Sequence, residues 1–238
     1  MPPLGRAALL LDMDGTLLDL APTPDTVVVP PGLAETLQRL RGMLDGALAV
    51  VTGRPVGQVD ALLPGVPYAV AGEHGGAIRH APDMETVRLD LPEAPEAWRD
   101  AAAAAVSAYP GSLLEHKRRG FVFHFRAVPD HGPTLFEAAH AIVGADAGRF
   151  QVMQASMAWE VRPRGADKGS AVLSLMRQAP FAGRVPVFIG DDVTDEDGMR
   201  AAVSLGGVGL RVDEAFGTSA GVRAWLAKAV GAGVLPAV

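Results

Sequence analysis

The sequence contains no cysteine among its 238 residues, so disulfide bonds and thiol chemistry are both excluded. It also lacks an excess of positive charge, because the formal net charge is −6. Nucleic acids and anionic membranes attract clustered lysine and arginine, so neither is an expected partner. No apolar run reaches transmembrane length, and the run near the first residues is too short for a signal peptide. These absences favour a soluble, cytoplasmic protein.

The composition supports a sizeable folded core. Apolar residues make up 49% of the chain, which is typical of globular domains. The length predicts one large domain, or a core domain that carries an insertion. No internal repeat is present, and the one low-complexity tract is a short alanine run that suits a helix.

An apolar run near the start of the chain leads directly into two aspartates. Residues 8–18 read ALLLDMDGTLL, which places Asp12 and Asp14 just after the apolar residues. Such a run predicts a strand buried on both faces, as in a parallel sheet covered by helices. Ligands of these sheets bind beyond the carboxyl ends of the strands, which makes the aspartates candidate site residues. Alone, the segment equally fits a polar turn that closes a strand.

Strands and helices alternate over most of the chain, which predicts a parallel, Rossmann-like α/β core with right-handed crossovers. The proline-rich residues 21–31 predict an irregular excursion instead. Between residues 81 and 163 the pattern changes to period two, which predicts an antiparallel sheet with one packed face. We therefore predict a core of residues 1–80 and 164–238, with residues 81–163 inserted as an α+β domain.

Polar clusters follow three of the predicted core strands. They are Asp12 and Asp14, then Thr52 and Arg54, then Asp191, Asp192 and Asp195, with Lys168 opening the helix before the last strand. Adjacent carboxylates repel one another unless a cation compensates their charge. Oxygen ligands from two strand ends, with no histidine or cysteine nearby in sequence, favour Mg²⁺ over zinc. An acidic helix start accounts well for Asp195 but poorly for Asp191 and Asp192.

The same residue types fit phosphoryl transfer. An aspartate can act as a nucleophile and form an aspartyl-phosphate. Attack on a phosphate dianion requires charge neutralisation, which Mg²⁺, Lys168 and the Thr52 hydroxyl could share. Asp14 could protonate the leaving oxygen and then activate water. Taken singly, Lys168 also fits an ordinary solvated lysine, and Thr52 a helix cap.

Four segments together resemble the haloacid-dehalogenase-like (HAD-like) phosphotransferase superfamily, in the order DMDGT, VTGR, DKG and GDDVTDED. The resemblance implies that Asp12 is the nucleophile, that Asp14 is the general acid and base, and that Thr52 and Lys168 bind phosphate. The implied metal residues are Asp12, Asp14 through its backbone carbonyl, Asp191, and, less directly, Asp192 and Asp195. An aspartate at position 14 points to phosphatases or phosphomutases within the superfamily.

Further segments are similar to the trehalose-6-phosphate phosphatases, whose inserted cap domain closes over a sugar phosphate. These segments are APTPD, GEHGG, LEHK, WEVRPRGADKG and APFAGRVPVFIGDDVTDED. The resemblance implies that Glu115, Lys117 and Glu160 bind glucose hydroxyls, and it makes Arg54 and His74 candidate substrate contacts. Strand alternation places the cap residues on polar strand faces, so they could converge. The open alternatives are a surface ion pair for Glu115 and Lys117, and a simple turn residue for His74.

The resemblance implies a Mg²⁺-dependent phosphatase that hydrolyses trehalose 6-phosphate to trehalose and phosphate through an aspartyl-phosphate. The expected partner is a small-molecule sugar phosphate, and we expect a monomer with a functional link to a trehalose phosphate synthase. The alternatives are another sugar-phosphate phosphatase or phosphomutase, and a non-catalytic sugar-phosphate sensor. Without the resemblance, the residues predict only a Mg²⁺-dependent phosphoryl transferase with an inserted domain.

Overall fold

A computed structural model describes residues 1–21, 23 and 26–238 of the chain. Part of the proline-rich segment predicted to be irregular therefore lies outside the described residues. The strands, in chain order, are β1 (Ala7–Leu11), β2 (Leu48–Val51), β3 (Ala69–Gly72), β4 (Ala77–Arg79), β5 (Val87–Arg88), β6 (Leu113–His116), β7 (Phe121–His124), β8 (Phe150–Ala155), β9 (Ala158–Pro163), β10 (Val185–Gly190) and β11 (Val208–Arg211). The helices are α1 (Leu33–Met43), α2 (Val56–Leu62), α3 (Glu96–Ser107), α4 (Gly132–Val143), α5 (Lys168–Leu175), α6 (Glu196–Ser204), α7 (Val212–Ala215) and α8 (Ser219–Ala232).

The chain divides into two compact units. One unit, the core, combines Met1–Leu89 with Ala166–Val238, and the other, the inserted unit, is Asp90–Gly165.

None of the helices in the described ranges has both the length and the apolar composition of a membrane span.

The core unit is built on a sheet of seven strands within the described ranges, in the order β11-β10-β1-β2-β3-β4-β5. The five strands from β11 to β3 run parallel to one another. β1 lies inside the sheet, and each of its residues is buried, as the apolar run predicted. The parallel strands alternate with helices along the chain, which confirms the predicted Rossmann-like core.

A short hairpin extends the core sheet beyond the parallel strands and was not predicted. β4 pairs antiparallel with β3, and β5 pairs antiparallel with β4 through Ile78 and Val87. This pairing keeps residues up to Leu89 with the core unit. The inserted unit therefore begins at Asp90 in the structure, where the sequence predicted a boundary near residue 81.

The inserted unit contains an antiparallel sheet in the order β6-β7-β9-β8. One face packs against α3 and α4, and the residues of its apolar cluster are Trp98, Ala102, Phe121, Phe123, Phe125, Leu135, Ala139, Val143, Phe150 and Val161. The other face carries the alternate positions, which include Glu115, His124 and Glu160, and we call it the polar face. This arrangement confirms the period-two pattern, since successive side chains of a strand point to opposite faces.

Candidate active site

The carboxyl end of β1 leads into a tight turn that packs against the end of β10. Asp12 is buried directly after the strand, and Gly15 adopts a φ of +78° that side-chain-bearing residues rarely adopt. A Cβ atom on Gly15 would lie 2.1 Å from Oδ2 of Asp191, so only glycine allows this close approach. The Thr16 hydroxyl is 3.3 Å from Oδ2 of Asp12 and 3.4 Å from Oδ1 of Asp191.

Lys168 connects two buried carboxylates. It is the first residue of α5, whose start is capped by Asp167 through the backbone N–H of Ser170 at 2.6 Å. Its Nζ donates to Oδ1 of Asp12 at 2.7 Å and to Oδ1 of Asp195 at 2.6 Å. Lys168 is 3% exposed and Asp195 is 0% exposed, so these ion pairs are shielded from water.

Hydrogen bonds between side chains and backbone groups fix the turn after β10. Oδ2 of Asp195 accepts a hydrogen bond from the N–H of Asp192 at 3.0 Å, and Oδ1 of Asp192 accepts one from the N–H of Val193 at 2.8 Å. Nη2 of Arg211 donates to the backbone oxygen of Asp191 at 3.1 Å. These bonds hold the turn that carries Asp191, Asp192 and Asp195 in place.

Three carboxylates converge closely enough to hold a metal ion. Oxygen atoms of Asp12, Asp191 and Asp195 lie within 4.8 Å of one another. Burial, reinforced by the charge of Asp195, raises the pKa of Asp12 well above its ordinary value. Burial and the charges of Asp195 and Asp192 likewise raise the pKa of Asp191 to about 6. An all-oxygen donor set of this kind suits a hard divalent cation, which would relieve the repulsion.

Asp14 lies outside this carboxylate cluster and pairs with Arg54. Its side chain is 31% exposed, and it accepts from Nε and Nη2 of Arg54, each at 2.6 Å. Nη1 of Arg54 also donates to Oε1 of Gln58 at 3.3 Å. Thr52 is buried at the end of β2, where its hydroxyl accepts from the backbone N–H of Arg54 at 3.2 Å.

His74 lies beside the end of β2. It adopts φ 54° and ψ 33° within a 3₁₀ turn, and its N–H donates to the backbone oxygen of Thr52 at 3.0 Å. A Cβ atom on Gly53 would lie 2.6 Å from Nε2 of the His74 ring, so the ring packs against the Gly53 backbone. His74 therefore belongs to the same edge of the core sheet as Thr52.

The predicted residues of the inserted unit share one face of its sheet. Glu115 lies opposite Val122, and Val122 lies opposite Glu160, so both glutamates point to the polar face. Nζ of Lys117 is 2.5 Å from Oε1 of Glu115, and Glu160 is buried at 7% exposure. Oε2 of Glu115 is 2.9 Å from Nε2 of His124.

Comparisons with known proteins decide the family. The trehalose-phosphatase family model matches residues 10–225. The chain is 38% identical to trehalose-6-phosphate phosphatase of Escherichia coli K12, over 92% of this chain and 81% of that protein. It is 41% identical to a protein of Sinorhizobium fredii named "Probable trehalose-phosphate phosphatase", over 88% of this chain and 78% of that protein. The chain belongs to the trehalose-phosphatase family.

Solved structures support the same fold for this member of the trehalose-phosphatase family. The C-terminal domain of Candida albicans trehalose-6-phosphate phosphatase superimposes with a TM-score of 0.82 and 20% sequence identity. The match covers 95% of this chain and 93% of that one. The HAD-like α/β fold predicted from the sequence is confirmed.

In this trehalose-phosphatase chain, direct contacts join most of the predicted residues. Asp12, Asp191, Asp192, Asp195 and Lys168 form one set, Asp14, Thr52, Arg54 and His74 another, and Glu115 and Lys117 a third. Sequence reasoning missed Thr16, Arg211 and His124. Thr16 could have been identified from the sequence, because it lies within the DMDGT segment. His124 could have been identified too, because the alternation along β7 places it on the polar face. Arg211 had no local signal, since its contact with Asp191 depends on the pairing of β10 and β11.

Proposed function

We propose that this chain hydrolyses trehalose 6-phosphate to trehalose and inorganic phosphate. The observation that carries the proposal is the buried pairing of Asp12 with Lys168 beside a cluster of three carboxylates. A carboxylate nucleophile for phosphoryl transfer needs such a cationic partner, because the phosphate brings further negative charge. The family match over residues 10–225 supports the choice of substrate.

In the first step, a carboxylate oxygen of Asp12 attacks phosphorus, and the bond from phosphorus to the sugar oxygen breaks. Asp14, in its protonated form, gives its proton to the departing sugar oxygen. Lys168 holds Oδ1 of Asp12 at 2.7 Å and thereby orients the nucleophile. Lys168 and the Thr52 hydroxyl bind the phosphoryl oxygens and reduce their charge. The products of this step are trehalose and an aspartyl-phosphate at position 12.

In the second step, water attacks the phosphorus of the aspartyl-phosphate. Asp14 is now ionised and takes the proton of that water, and the bond between phosphorus and the Asp12 oxygen breaks. Phosphate leaves, and Asp12 and the protonated Asp14 are restored. The bidentate contact with Arg54 aligns Asp14 in the ionised form that this second step requires.

The donor set of the site fits Mg²⁺. Asp12, Asp191 and the backbone carbonyl of Asp14 would hold the ion, and Asp192 and Asp195 would support it through water or neighbouring ligands. When bound, Mg²⁺ neutralises charge on the carboxylates and on the substrate phosphate. The three clustered carboxylates face one lysine, so a divalent cation balances the charge of this group.

The inserted unit acts as the cap that recognises the sugar in this proposal. Glu115 and Glu160 offer acceptors on one sheet face, and Lys117 offers donors, which suits the hydroxyls of a disaccharide. Arg54 and His74 complete the proposed substrate contacts. We also propose that the enzyme is monomeric and cytoplasmic. It works with a trehalose phosphate synthase, because a synthase must supply the substrate.

Phosphate release from a panel of sugar phosphates, with Mg²⁺ and with EDTA, tests the proposal. We expect release mainly from trehalose 6-phosphate, and only with the metal. Metal-dependent release from a different sugar phosphate would agree with the proposed phosphoryl-transfer mechanism but would overturn the assignment of the sugar. No release from any substrate would overturn the enzymatic function and favour a sugar-phosphate sensor.

A further inference from the structure

Glu115 has a hydrogen-bond partner on each of its carboxylate oxygens. Nζ of Lys117 lies 2.5 Å from Oε1, and Nε2 of His124 lies 2.9 Å from Oε2. The side chains of Glu115 and His124 are 25% and 26% exposed, so the contact is shielded in part from water. A carboxylate held at both oxygens is confined to one orientation.

The sheet itself brings His124 to Glu115. β6 and β7 pair with Leu113 opposite His124 and with Glu115 opposite Val122. Glu115 and His124 are therefore diagonal neighbours on one face, a spacing that long side chains bridge. Across β9, the residue opposite His124 is Ala158, which leaves room for the imidazole. The contact follows from strand register and needs no ligand to form it.

The ionised state of Glu115 defines the direction of this hydrogen bond. Burial alone would raise the pKa of Glu115, but the contacts with His124 and Lys117 outweigh burial and lower it. At neutral pH the carboxylate is therefore ionised and can only accept hydrogen bonds. Nε2 of His124 must then carry the proton and donate it to Oε2.

We propose that His124 is a positioning residue for substrate recognition, which holds Glu115 so that its remaining lone pairs accept sugar hydroxyls. This inference rests on the proposed function, in which Glu115 binds the sugar. A carboxylate has about four lone-pair sites, so two protein donors leave acceptor capacity for hydroxyl groups. Without His124, the carboxylate keeps only its Lys117 contact and gains rotational freedom, and ordering it again weakens sugar binding.

The test compares His124→Ala and His124→Gln, since glutamine keeps a side-chain donor and alanine does not. His116→Ala is the matched control, because His116 is an exposed histidine of β6 adjacent to Glu115 in sequence and on the opposite strand face. Each variant is assayed with trehalose 6-phosphate and with an aryl phosphate that lacks the sugar. Thermal unfolding shows whether each variant folds.

We expect His124→Ala to raise KM for trehalose 6-phosphate up to about 10-fold, the cost of ordering one freed side chain on binding, with little change in kcat. The aryl phosphate and the His116→Ala control should be unaffected, and glutamine should restore most of the loss. Equal losses on both substrates, or a glutamine variant as poor as the alanine variant, would overturn the positioning role. If His124→Ala fails to fold, His124→Leu, which also lacks a donor but keeps more bulk, takes its place beside the glutamine variant. A KM for trehalose 6-phosphate raised in the leucine variant and near wild type in the glutamine variant supports the inference, and equal KM values in the two variants overturn it.

The two failures are distinguishable in the same assay. A wild-type enzyme that prefers trehalose 6-phosphate, together with unaffected His124 variants, overturns the positioning role alone. A wild-type enzyme with no preference for trehalose 6-phosphate overturns the proposed function and, with it, this inference.

Discussion

Arg54 donates to both carboxylate oxygens of Asp14, from Nε to Oδ2 and from Nη2 to Oδ1, each at 2.6 Å. Paired hydrogen bonds of this kind fix the plane of the carboxylate and use each of its oxygens as an acceptor. The proposed first step needs a proton on Asp14, whereas the second needs Asp14 ionised. In the proposed mechanism, Arg54 therefore assists hydrolysis of the aspartyl-phosphate, where Asp14 accepts a proton, more directly than departure of the sugar.

Replacing Arg54 by lysine tests this relationship. Lysine keeps the positive charge but cannot form the paired contact, so we expect kcat to fall about 10- to 100-fold, which is at or below the lower end of the contribution of general acid–base catalysis because Asp14 itself remains. Rapid-mixing measurements should show sugar release slowed less than phosphate release. Arg79→Lys is the matched control, because Arg79 forms the same paired contact with Asp60 at 2.7 Å. An Arg54→Lys enzyme with wild-type kcat would contradict the assignment.

Asp12→Asn should abolish turnover while leaving the fold intact. An amide is a poor nucleophile toward phosphorus, and we expect phosphate release from trehalose 6-phosphate to fall on the order of 10⁴-fold or more. Asp45→Asn serves as a control for the same chemical change, since its side chain is 74% exposed. Both variants should unfold cooperatively in thermal melts. Substantial residual turnover by Asp12→Asn would exclude the covalent scheme.

Gly15→Ala should damage the site through a steric clash. The added Cβ would lie 2.1 Å from Oδ2 of Asp191, so the carboxylate must move away from the cluster. A displacement near 1 Å at a catalytic site can cost about 100-fold in rate, and we expect a loss of that size together with weaker Mg²⁺ binding.

Gly32→Ala is the control that separates the effect of the steric clash at Gly15 from the effect of backbone strain. Gly32 has the same φ of +78°, but its added Cβ meets no atom within 4 Å. Both variants should lose about 1–2 kcal/mol of stability from the left-handed backbone. Only Gly15→Ala should lose activity, as measured by phosphate release and by Mg²⁺ titration. Equal activity losses in the two variants would contradict a specific role for the Gly15 turn.

The sequence predicted the meeting of Asp12 and Asp191 because parallel strands end at a common sheet edge. Local patterns could not predict which side chains pair there. Arg54 pairs with Asp14, and Lys168 pairs with Asp195. Each pair joins residues from different parts of the chain, so it depends on how far the long side chain extends in the folded protein. The hairpin formed by β4 and β5 also escaped prediction, since β5 is a two-residue strand with both residues exposed. Such short edge strands carry no usable periodicity.

Metal-free protein should show a distinctive dependence of stability on pH. Burial, with the charges of Asp195 and Asp192, raises the pKa of Asp191 from 3.8 to about 6 in the folded state. Between these values the folded state binds more protons than the unfolded chain, so this contribution to stability falls as pH rises. Thermal unfolding in EDTA between pH 4 and pH 7 should show this loss in the wild type. Asp191→Asn should lack the part that Asp191 contributes, and the raised pKa of Asp12 should leave a smaller loss of the same sign.

Mg²⁺ should reverse the trend, because the ion binds the ionised carboxylates and competes with protons. At a concentration near 100 times its dissociation constant, we expect about 2.7 kcal/mol of added stability at pH 8. The gain should shrink at pH 5, where Asp191 is protonated. An equal Mg²⁺ gain at pH 5 and pH 8, or the same gain in Asp191→Asn, would contradict metal binding at these carboxylates.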